Sequence, residues 1–257
     1  MESIFNPIGC NECRDKARLG LDFSMAFQPI VDLQGRAIYG FEALVRGIKG
    51  EGAYSVLSQI NEDNRYVFDQ SIRVKALDLA TSLNLPGKLS INFLPNAVYK
   101  AETCIRATLE AARQLDFPTE RIMFEVTEGE KVIDHGHLKS IFHEYKKHSF
   151  TTAIDDFGAG YSGLNLLADW QPDVIKLDMA LTRNIDSDKV RRALVSGILS
   201  VCGELGISVI AEGIETREEC LALIDQGVTL FQGYFFARPA FEALPQIPPE
   251  VWASLSA

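Results

Sequence analysis

The sequence contains no apolar run that approaches the about 20 residues needed for a membrane-spanning helix. Its first residues, Met1-Glu2-Ser3, lack the basic and then apolar pattern of a secretory signal. Basic residues are also few, since 25 Lys and Arg stand against 35 Asp and Glu, which gives a net charge of −10. Binding to DNA through its phosphates needs clustered cations, so this balance argues against a DNA-binding protein. We expect a soluble, cytoplasmic protein that binds any phosphorylated ligand with the help of cations.

Cysteine is scarce and scattered, with five residues at positions 10, 13, 104, 202 and 220. An odd number in a chain too long to require disulfide staples indicates reduced thiols in a cytosol. Cys10 and Cys13 have the spacing of half a zinc site, but the sequence has no second Cys-x-x-Cys to complete it. Metal binding and redox sensing therefore stay open beside the favoured interpretation, which is a pair of inert thiols.

The 257 residues are 47% hydrophobic, with no low-complexity linker and no repeat, which favours a single globular domain. Short β-rich runs alternate with segments whose apolar residues recur every three or four positions. The predicted strands are 27–31, 38–45, 89–94, 122–126, 151–154, 174–177, 208–211 and 230–235, and the predicted helices are about 65–84, 97–115, 136–148, 188–205 and 216–226.

Eight strands alternating with helices predict an α/β fold of the (β/α)₈ TIM-barrel type. Only residues 32–36 separate the first two strands, which is too short for the crossover that parallel strands require. We therefore predict a modified barrel whose first two strands form an antiparallel hairpin. Residues 1–22 are assigned to an N-terminal extension that carries Cys10 and Cys13, and residues 23–257 to the barrel.

Polar residues collect at the predicted strand ends, where barrel enzymes carry their chemistry. A single acid at such a place is usually a solvated loop residue or a helix cap, so the interpretation depends on the joint placement. If the barrel closes, carboxylates from four strands meet at one mouth and repel one another unless protons or divalent cations neutralise them. Hard oxygen ligands select Mg²⁺, Mn²⁺ or Ca²⁺, and their number suits two ions about 3.5 to 4 Å apart. The residues are Glu42, Asn92, Glu125, Glu128, Asp155, Asp156, Lys176, Asp178, Glu212 and Gln232.

Lys176 stands between two apolar residues of a predicted strand and points the opposite way from them, into the barrel or out toward a helix. A buried lysine is rare without a partner, and the acidic mouth would provide one.

At these residues the sequence resembles the EAL-domain family of cyclic di-GMP phosphodiesterases, from about Met25 to Pro239. Phe-Glu-Ala-Leu occurs at 41–44 and again at 241–244. Only the first copy ends a β-rich run and continues as Val-Arg-Gly, so the second is given no role. The resemblance is carried by the ordered set Phe27-Gln28-Pro29-Ile30, Glu42-Ala43-Leu44, Asn92, Glu125-Val126-Thr127-Glu128, Asp155-Asp156-Phe157-Gly158, Ile175-Lys176-Leu177-Asp178, Glu212-Gly213 and Gln232-Gly233-Tyr234.

The resemblance implies a role for each matching residue. Asp155 would bridge two cations; the first is held by Glu42, Asn92, Glu125 and Asp155, and the second by Asp155, Asp156 and Glu212. The implied catalytic set is Lys176, Glu212 and Glu128, in which Lys176 holds and polarises the attacking water and Glu128 braces the loop after strand five. The implied substrate contacts are Gln28, Arg46 and Gln232, with Arg46 pairing with a phosphate through its fork of donors.

The implied activity is metal-dependent hydrolysis of cyclic di-GMP to linear 5′-pGpG, which lowers the level of this bacterial second messenger. Two Mg²⁺ or Mn²⁺ ions would act on an in-line displacement, and Ca²⁺ is expected to inhibit. The resemblance also implies a homodimer through the loop after strand five. We expect either a stand-alone enzyme or one that is regulated by a partner that the sequence does not identify. The alternative is a catalytically silent cyclic di-GMP receptor that signals through a partner. A barrel glycosidase would not need Asn92, the Asp155-Asp156 pair and Lys176 together.

Overall fold

A computed structural model describes residues 20–98, 100–128, 135–160 and 163–255. Cys10 and Cys13 lie outside the described residues. The strands are β1 (Phe23–Asp32), β2 (Ala37–Gly47), β3 (Lys88–Asn92), β4 (Ile122–Thr127), β5 (Thr151–Phe157), β6 (Val174–Leu177), β7 (Ser208–Ala211), β8 (Leu230–Phe231) and β9 (Ala240–Phe241). The helices are α1 (Tyr54–Leu57), α2 (Arg65–Ser82), α3 (Ala101–Gln114), α4 (His135–Lys147), α5 (Gly163–Asp169), α6 (Met179–Thr182), α7 (Lys189–Leu205), α8 (Arg217–Ile224) and α9 (Pro249–Ser254).

Strands β2 to β8 lie side by side in chain order and run parallel to one another. Strand β1 closes the barrel because it pairs with β2 on one side and with β8 on the other, antiparallel to both. The short 32–36 connection leaves no room for a crossover, which is why the first two strands form a hairpin. The predicted modified barrel with an antiparallel first hairpin is confirmed.

The barrel interior is filled below its mouth by a small apolar layer. Five of its members stand two positions before a polar residue of the mouth, because inward-facing residues recur with period two along a strand. The polar site therefore forms the next layer above an apolar floor. The five pairs are Met123 with Glu125, Ala153 with Asp155, Val174 with Lys176, Ile210 with Glu212 and Leu230 with Gln232.

Several predicted elements differ from the observed ones at their ends, and two of these differences have a visible cause. Strand β8 stops at Phe231, whereas the prediction extended it to Phe235, because the chain turns tightly at Gly233, where a Cβ would lie 2.1 Å from the Ile214 carbonyl oxygen. Helix α3 starts at Ala101 rather than at 97, because Pro95–Ala97 forms a separate 3₁₀ turn. At the start of α8 the side chains of Thr216 and Glu219 form a capping box.

The second Phe-Glu-Ala-Leu copy lies outside the barrel mouth. Its first residue, Phe241, is the second residue of β9, which pairs with β1. The Glu242 backbone N–H donates to the Met25 carbonyl at 2.9 Å, and the Ser24 hydroxyl donates to the Glu242 carboxylate. This glutamate therefore attaches the C-terminal segment to β1. Among the described residues, no helix is both long and apolar enough to cross a bilayer.

Candidate metal centre

Five carboxylates meet at the mouth of the barrel. One carboxylate oxygen from each of Glu42, Glu125 and Asp155 lies within 4.8 Å of the other two. The same is true of Asp155, Asp156 and Glu212, so Asp155 belongs to both groups. The structure thus brings together five of the seven acids singled out in the sequence, in two groups of three that share one residue, whereas Glu128 and Asp178 belong to neither group.

A bulge in β5 allows both aspartates to reach the mouth. In a regular strand two adjacent side chains point to opposite faces. The β5–β6 register shifts between Ile154 and Phe157, and Asp156 has a φ of 54°. A non-glycine residue rarely adopts a positive φ, and bulges of this kind re-aim side chains next to active sites. The positive φ of Asp156 thus accompanies the bulge that places its carboxylate near that of Asp155.

Lys176 occupies the centre of the cluster, and its side chain is fully buried. Of the two directions that its position in the sequence allowed, the side chain takes the one into the barrel. Burial acts to lower the pKa of Lys176, but the surrounding carboxylates outweigh it and hold that pKa well above its usual value. The group is therefore an ammonium. Its Nζ atom lies 2.7 Å from Glu212 Oε1, 2.9 Å from Glu125 Oε2, 3.0 Å from Asp155 Oδ1 and 3.3 Å from Glu42 Oε2.

One ammonium does not neutralise five carboxylates, and the pKa values of three of these acids are raised. Burial, together with the charges of Glu42 and Asp155, raises the pKa of Glu125 to about 8. Burial and neighbouring carboxylates likewise raise the pKa of Glu212 well above its usual value and that of Asp156 to about 6. These shifts have the sign expected when desolvation and like charges disfavour ionisation.

The donor set fits divalent cations. Glu125 Oε1 is buried and has no hydrogen-bond partner among the described residues, so it is available to a ligand that supplies positive charge. Carboxylate and amide oxygens prefer Mg²⁺, Mn²⁺ or Ca²⁺ to thiolate-binding metals. The cluster therefore has both the excess negative charge and the donor type of a hard-cation site.

Two amides fix the orientation of Glu42. The Asn92 side-chain amide donates to Glu42 Oε1 at 2.8 Å, and the Gln232 amide donates to Glu42 Oε2 at 2.7 Å. Gln232 also donates to Gln28 Oε1 at 3.2 Å, and Gln28 in turn donates to the Ala237 carbonyl at 3.2 Å. The structure thus places Gln232 directly against a candidate ligand, a contact that its position in the sequence did not reveal.

Arg46 lies farther along the same strand as Glu42. Residues four apart on a strand share a face, so Arg46 is on the mouth side of β2. It is half-buried, and its Nη1 atom donates to the Val45 carbonyl at 2.7 Å. Gln28 and Glu42 are register partners across the hairpin. Two of the three predicted substrate residues therefore lie on the adjacent strands that close the barrel.

Glu128 holds the start of the loop that follows Asp156. Its Oε2 atom accepts from the Gly158 N–H at 2.7 Å and from the Gly160 N–H at 3.4 Å. Gly158 has a φ of +97°, which favours glycine. At Gly160 a Cβ would lie 2.9 Å from Glu128 Oε1. Both glycines are thus explained by the close approach and the turn that this contact requires.

Helix α6 contacts the backbone beside Glu212 and beside the loop after Asp156, and these contacts could not be predicted from the sequence. The Thr182 hydroxyl donates to the Glu212 carbonyl at 2.6 Å. A Cβ at Gly213 would meet Met179 at 2.4 Å, and one at Gly158 would meet Leu181 at 2.3 Å. Gly158 and Gly213, which follow the acids of the two motifs, were the only indication of this contact in those motifs, because the absence of a Cβ permits the close packing.

The three described cysteines form no disulfide with one another and are buried. Burial raises the pKa of the Cys202 thiol to about 11 and that of Cys220 to about 12. Protonated thiols are poor nucleophiles and poor metal ligands, so these residues belong to the hydrophobic core.

The fold and the site together define a TIM-type barrel protein whose mouth can hold divalent cations. The chain belongs to the EAL domain family, whose model matches residues 12–239. The match begins inside the predicted N-terminal extension, residues 1–22, and it includes Cys13.

Solved structures of EAL proteins share this fold. A standalone EAL protein from Vibrio cholerae O395, in its c-di-GMP bound form, is 56% identical with a TM-score of 0.88, and the match covers 91% of this chain and 99% of that one. BlrP1 from Klebsiella pneumoniae, in a manganese and cyclic di-GMP complex, is 34% identical with a TM-score of 0.84, over 89% of this chain and 58% of BlrP1. A calcium and cyclic di-GMP complex of BlrP1 matches with a TM-score of 0.83.

Two relatives illustrate different uses of the domain. The blue light- and temperature-regulated antirepressor BluF of Escherichia coli K12 is 32% identical, over 86% of this chain and 55% of BluF. The cyclic di-GMP phosphodiesterase RocR of Pseudomonas aeruginosa is 28% identical, over 86% of this chain and 59% of RocR. The chain thus spans somewhat more than half the length of these relatives.

Proposed function

We propose that this protein is a metal-dependent phosphodiesterase that hydrolyses cyclic di-GMP to linear 5′-pGpG and so lowers the level of this second messenger. One observation carries the proposal: the buried ammonium of Lys176 contacts four carboxylates drawn from both cation groups. The names of RocR and of the cyclic di-GMP complexes in the same family support the choice of substrate.

The proposed cofactor is a pair of Mg²⁺ or Mn²⁺ ions. When bound, the two cations would lower the pKa of a water and neutralise charge on the attacking and leaving oxygens of an in-line displacement. The proposed ligands of the first ion are Glu42, Asn92, Glu125 and Asp155, and those of the second are Asp155, Asp156 and Glu212. The BlrP1 complexes with manganese and with calcium support a site that accepts more than one hard cation.

Lys176 is proposed to hold the attacking water. Its ammonium can only donate hydrogen bonds, so it orients the water through the oxygen and stabilises the negative charge that develops there. Glu212 and Glu125 are its two shortest contacts, at 2.7 and 2.9 Å, and they fix the position of its Nζ atom. The low exposure of the cluster keeps bulk water from competing for the same donor.

The remaining residues are proposed to position the substrate and the loop. Arg46 pairs with a phosphate of the dinucleotide through parallel hydrogen bonds, and Gln28 contacts the substrate beside it. Gln232 acts at the same place, with its amide also orienting Glu42. Glu128 keeps the loop after β5 in register with the aspartates that precede it.

The chief alternative is a receptor that binds cyclic di-GMP without cleaving it and signals through a partner. The resemblance to BluF favours this reading, because that relative is named for antirepression. The enzyme is favoured by the acids, which are all present and converge in two groups. Incubation of the purified protein with cyclic di-GMP and Mg²⁺, followed by chromatography of the products, separates the two. Binding without pGpG supports the receptor, and pGpG supports the enzyme.

We also propose a cytoplasmic homodimer that forms through the segment after β5. Leu164 on α5, the helix of this segment, is 63% exposed and offers an apolar side chain for the contact. Analytical ultracentrifugation of the wild type and Leu164→Glu tests the assembly. A dimer that becomes a monomer in the variant supports the proposal, and a wild type that stays monomeric at high concentration contradicts it.

A further inference from the structure

A fully buried ion pair lies outside the barrel, on helix α2. Arg73 Nη2 is 2.7 Å from Asp69 Oδ2, and both side chains have no exposed surface. Removing two charges from water is costly, and such a pair persists when the geometry is good and further polar contacts are made. Its contacts show which part of the molecule the pair holds.

Three aromatic rings surround the Arg73 guanidinium. Its central carbon lies 4.9 Å from the ring centroid of Phe124, 5.4 Å from that of Phe93 and 5.7 Å from that of Tyr145. Its Nη1 atom also donates to the Tyr145 hydroxyl at 2.8 Å. A guanidinium over aromatic faces in a desolvated place interacts favourably with them. Arg73 therefore joins α2 to β4, to α4 and to the residue that follows β3.

Two of these aromatic residues, Phe93 and Phe124, are each adjacent in sequence to a candidate ligand. Phe93 follows Asn92, and Phe124 precedes Glu125. Successive side chains point to opposite faces of a strand, so the rings face the helices while the ligands face the mouth. Asn92 and Glu125 are also register partners, and the Phe93 N–H donates to the Glu125 carbonyl at 3.0 Å.

Asp69 fixes the backbone of the same region. Its Oδ1 atom accepts from the Leu94 N–H at 2.9 Å, two residues beyond Asn92. The carboxylate thus binds Arg73 with one oxygen and the end of β3 with the other. The Asp69–Arg73 pair thus contacts the outer side of β3 and β4. Its contacts are at the level where Asn92 and Glu125 project to the inner side of these strands.

We propose that Arg73 and Asp69 are positioning residues for the first cation group, which they serve by fixing the strand ends that aim Asn92 and Glu125. The inference rests on the proposed function, because it assigns those two residues to a cation. Supports of this kind orient metal ligands, and their loss costs about 10- to 100-fold in affinity. The contacts of the pair described above are with β3, β4 and α4, so the effect is expected at the first cation and not at the second.

The test is a titration with Mn²⁺, in which electron paramagnetic resonance measures the free ion and no turnover is required. Arg73→Met keeps the length of the side chain and removes its charge. The matched control is Leu77→Ala, one turn along α2, which is fully buried and belongs to neither cation group. Asn92→Ala in the same titration identifies the phase that belongs to the first ion, and thermal denaturation reports the folding of every variant.

We expect Arg73→Met to weaken the phase marked by Asn92→Ala by about tenfold or more, with the other phase within twofold of wild type. Leu77→Ala should lower Tm and leave both phases in place. Arg73→Met leaves Asp69 as an unpaired buried charge, so the double variant Asp69→Leu/Arg73→Met is measured as well. Replacement of a buried pair by apolar residues usually preserves folding, and the same selective loss is expected there.

Three results would overturn the inference. Both phases could stay unchanged in the double variant, or Arg73→Met and Leu77→Ala could weaken both phases equally, which would indicate a purely structural role. In either case the proposed function would stand, because the wild type would still bind two ions. A wild type that binds no Mn²⁺ would overturn the proposed metal centre and the inference with it.

Discussion

Lys176 Nζ lies 2.7 Å from Glu212 Oε1, the shortest of the four ion pairs that this buried ammonium makes. The contact joins the middle of β6 to the residue after β7, and the other three reach β2, β4 and β5. One side chain thus touches both cation groups. It is the residue whose loss best separates chemistry from binding.

Lys176→Ala should lower kcat by about 10²- to 10⁴-fold while KM changes little, because its proposed partner is the attacking water and not the nucleotide. Steady-state kinetics with cyclic di-GMP in Mg²⁺ measure both constants. Lys146→Ala, an exposed lysine paired with Asp173, is the control and should behave as wild type. An unchanged kcat with a greatly raised KM would make Lys176 a substrate-binding residue instead.

The duplicated Phe-Glu-Ala-Leu provides a matched pair of variants. Glu42→Ala removes a proposed cation ligand and should reduce turnover by orders of magnitude with little loss of Tm. Glu242→Ala removes only the contact with Ser24 and should retain turnover, at a cost of about 1 kcal/mol or less in stability. Product formation and thermal denaturation of both variants check this. Equal activity in the two variants would show that the metal site is assigned wrongly.

Glu128 is expected to act through its acceptor oxygen. Glu128→Ala leaves the Gly158 N–H without its acceptor and should reduce turnover by about 10- to 100-fold, because the loop after Asp156 loses its support. Glu128→Gln keeps one carbonyl oxygen in place and should retain more of the activity. The measurement is kcat for the two variants side by side. If Glu128→Gln is as impaired as Glu128→Ala, the negative charge of Glu128 is what turnover requires, and its hydrogen bond with the Gly158 N–H is not sufficient.

Cation binding should release protons. Asp156, with a pKa of about 6, and Glu125, with a pKa of about 8, hold protons in the metal-free cluster that a cation must displace. Affinity for Mn²⁺ should therefore rise as pH increases from 6 to 8. Calorimetry in buffers of different ionisation enthalpy counts the protons released. An affinity independent of pH, with no proton release at pH 6.5, would show that these carboxyls are already ionised.

Calcium should support nucleotide binding and little or no turnover. It coordinates oxygen at about 2.3 to 2.6 Å with six to eight ligands, against about 2.0 to 2.1 Å and six ligands for Mg²⁺. The site should tolerate this exchange in the bound complex, but the geometry of an in-line displacement is more demanding. Calorimetric binding in Ca²⁺ is compared with product formation in Ca²⁺, Mg²⁺ and Mn²⁺. Similar turnover in all three would contradict this account of the cations.

Much of the barrel and of the acidic mouth could be predicted from the sequence, because alternation along strands and the placement of acids at strand ends are local patterns. The positive φ of Asp156 could not, since no neighbouring residue signals a bulge there. The burial of Arg73 could not be predicted from the sequence either. A basic residue in a helix indicates a solvated face, and only the packing of three rings and Asp69 around it shows that it is buried.

The contacts of Gln232 and of Glu242 depend on long-range pairing. Gln232 reaches Glu42 because closure of the barrel brings β8 next to β1 and β2. Glu242 reaches Ser24 because the chain returns to β1 after the barrel is complete. The residues that flank Gln232 and Glu242 do not indicate either contact, so both are known only from the structure.

The most direct measurement is hydrolysis of cyclic di-GMP in H₂¹⁸O with Mg²⁺, followed by chromatography and mass spectrometry of the nucleotide. The account predicts linear pGpG that carries one ¹⁸O atom on its 5′-phosphate, formed by the wild type and far more slowly by Lys176→Ala. Cyclic di-GMP that binds to the protein and is recovered unchanged, in Mg²⁺ and in Mn²⁺, would contradict the account and indicate a receptor.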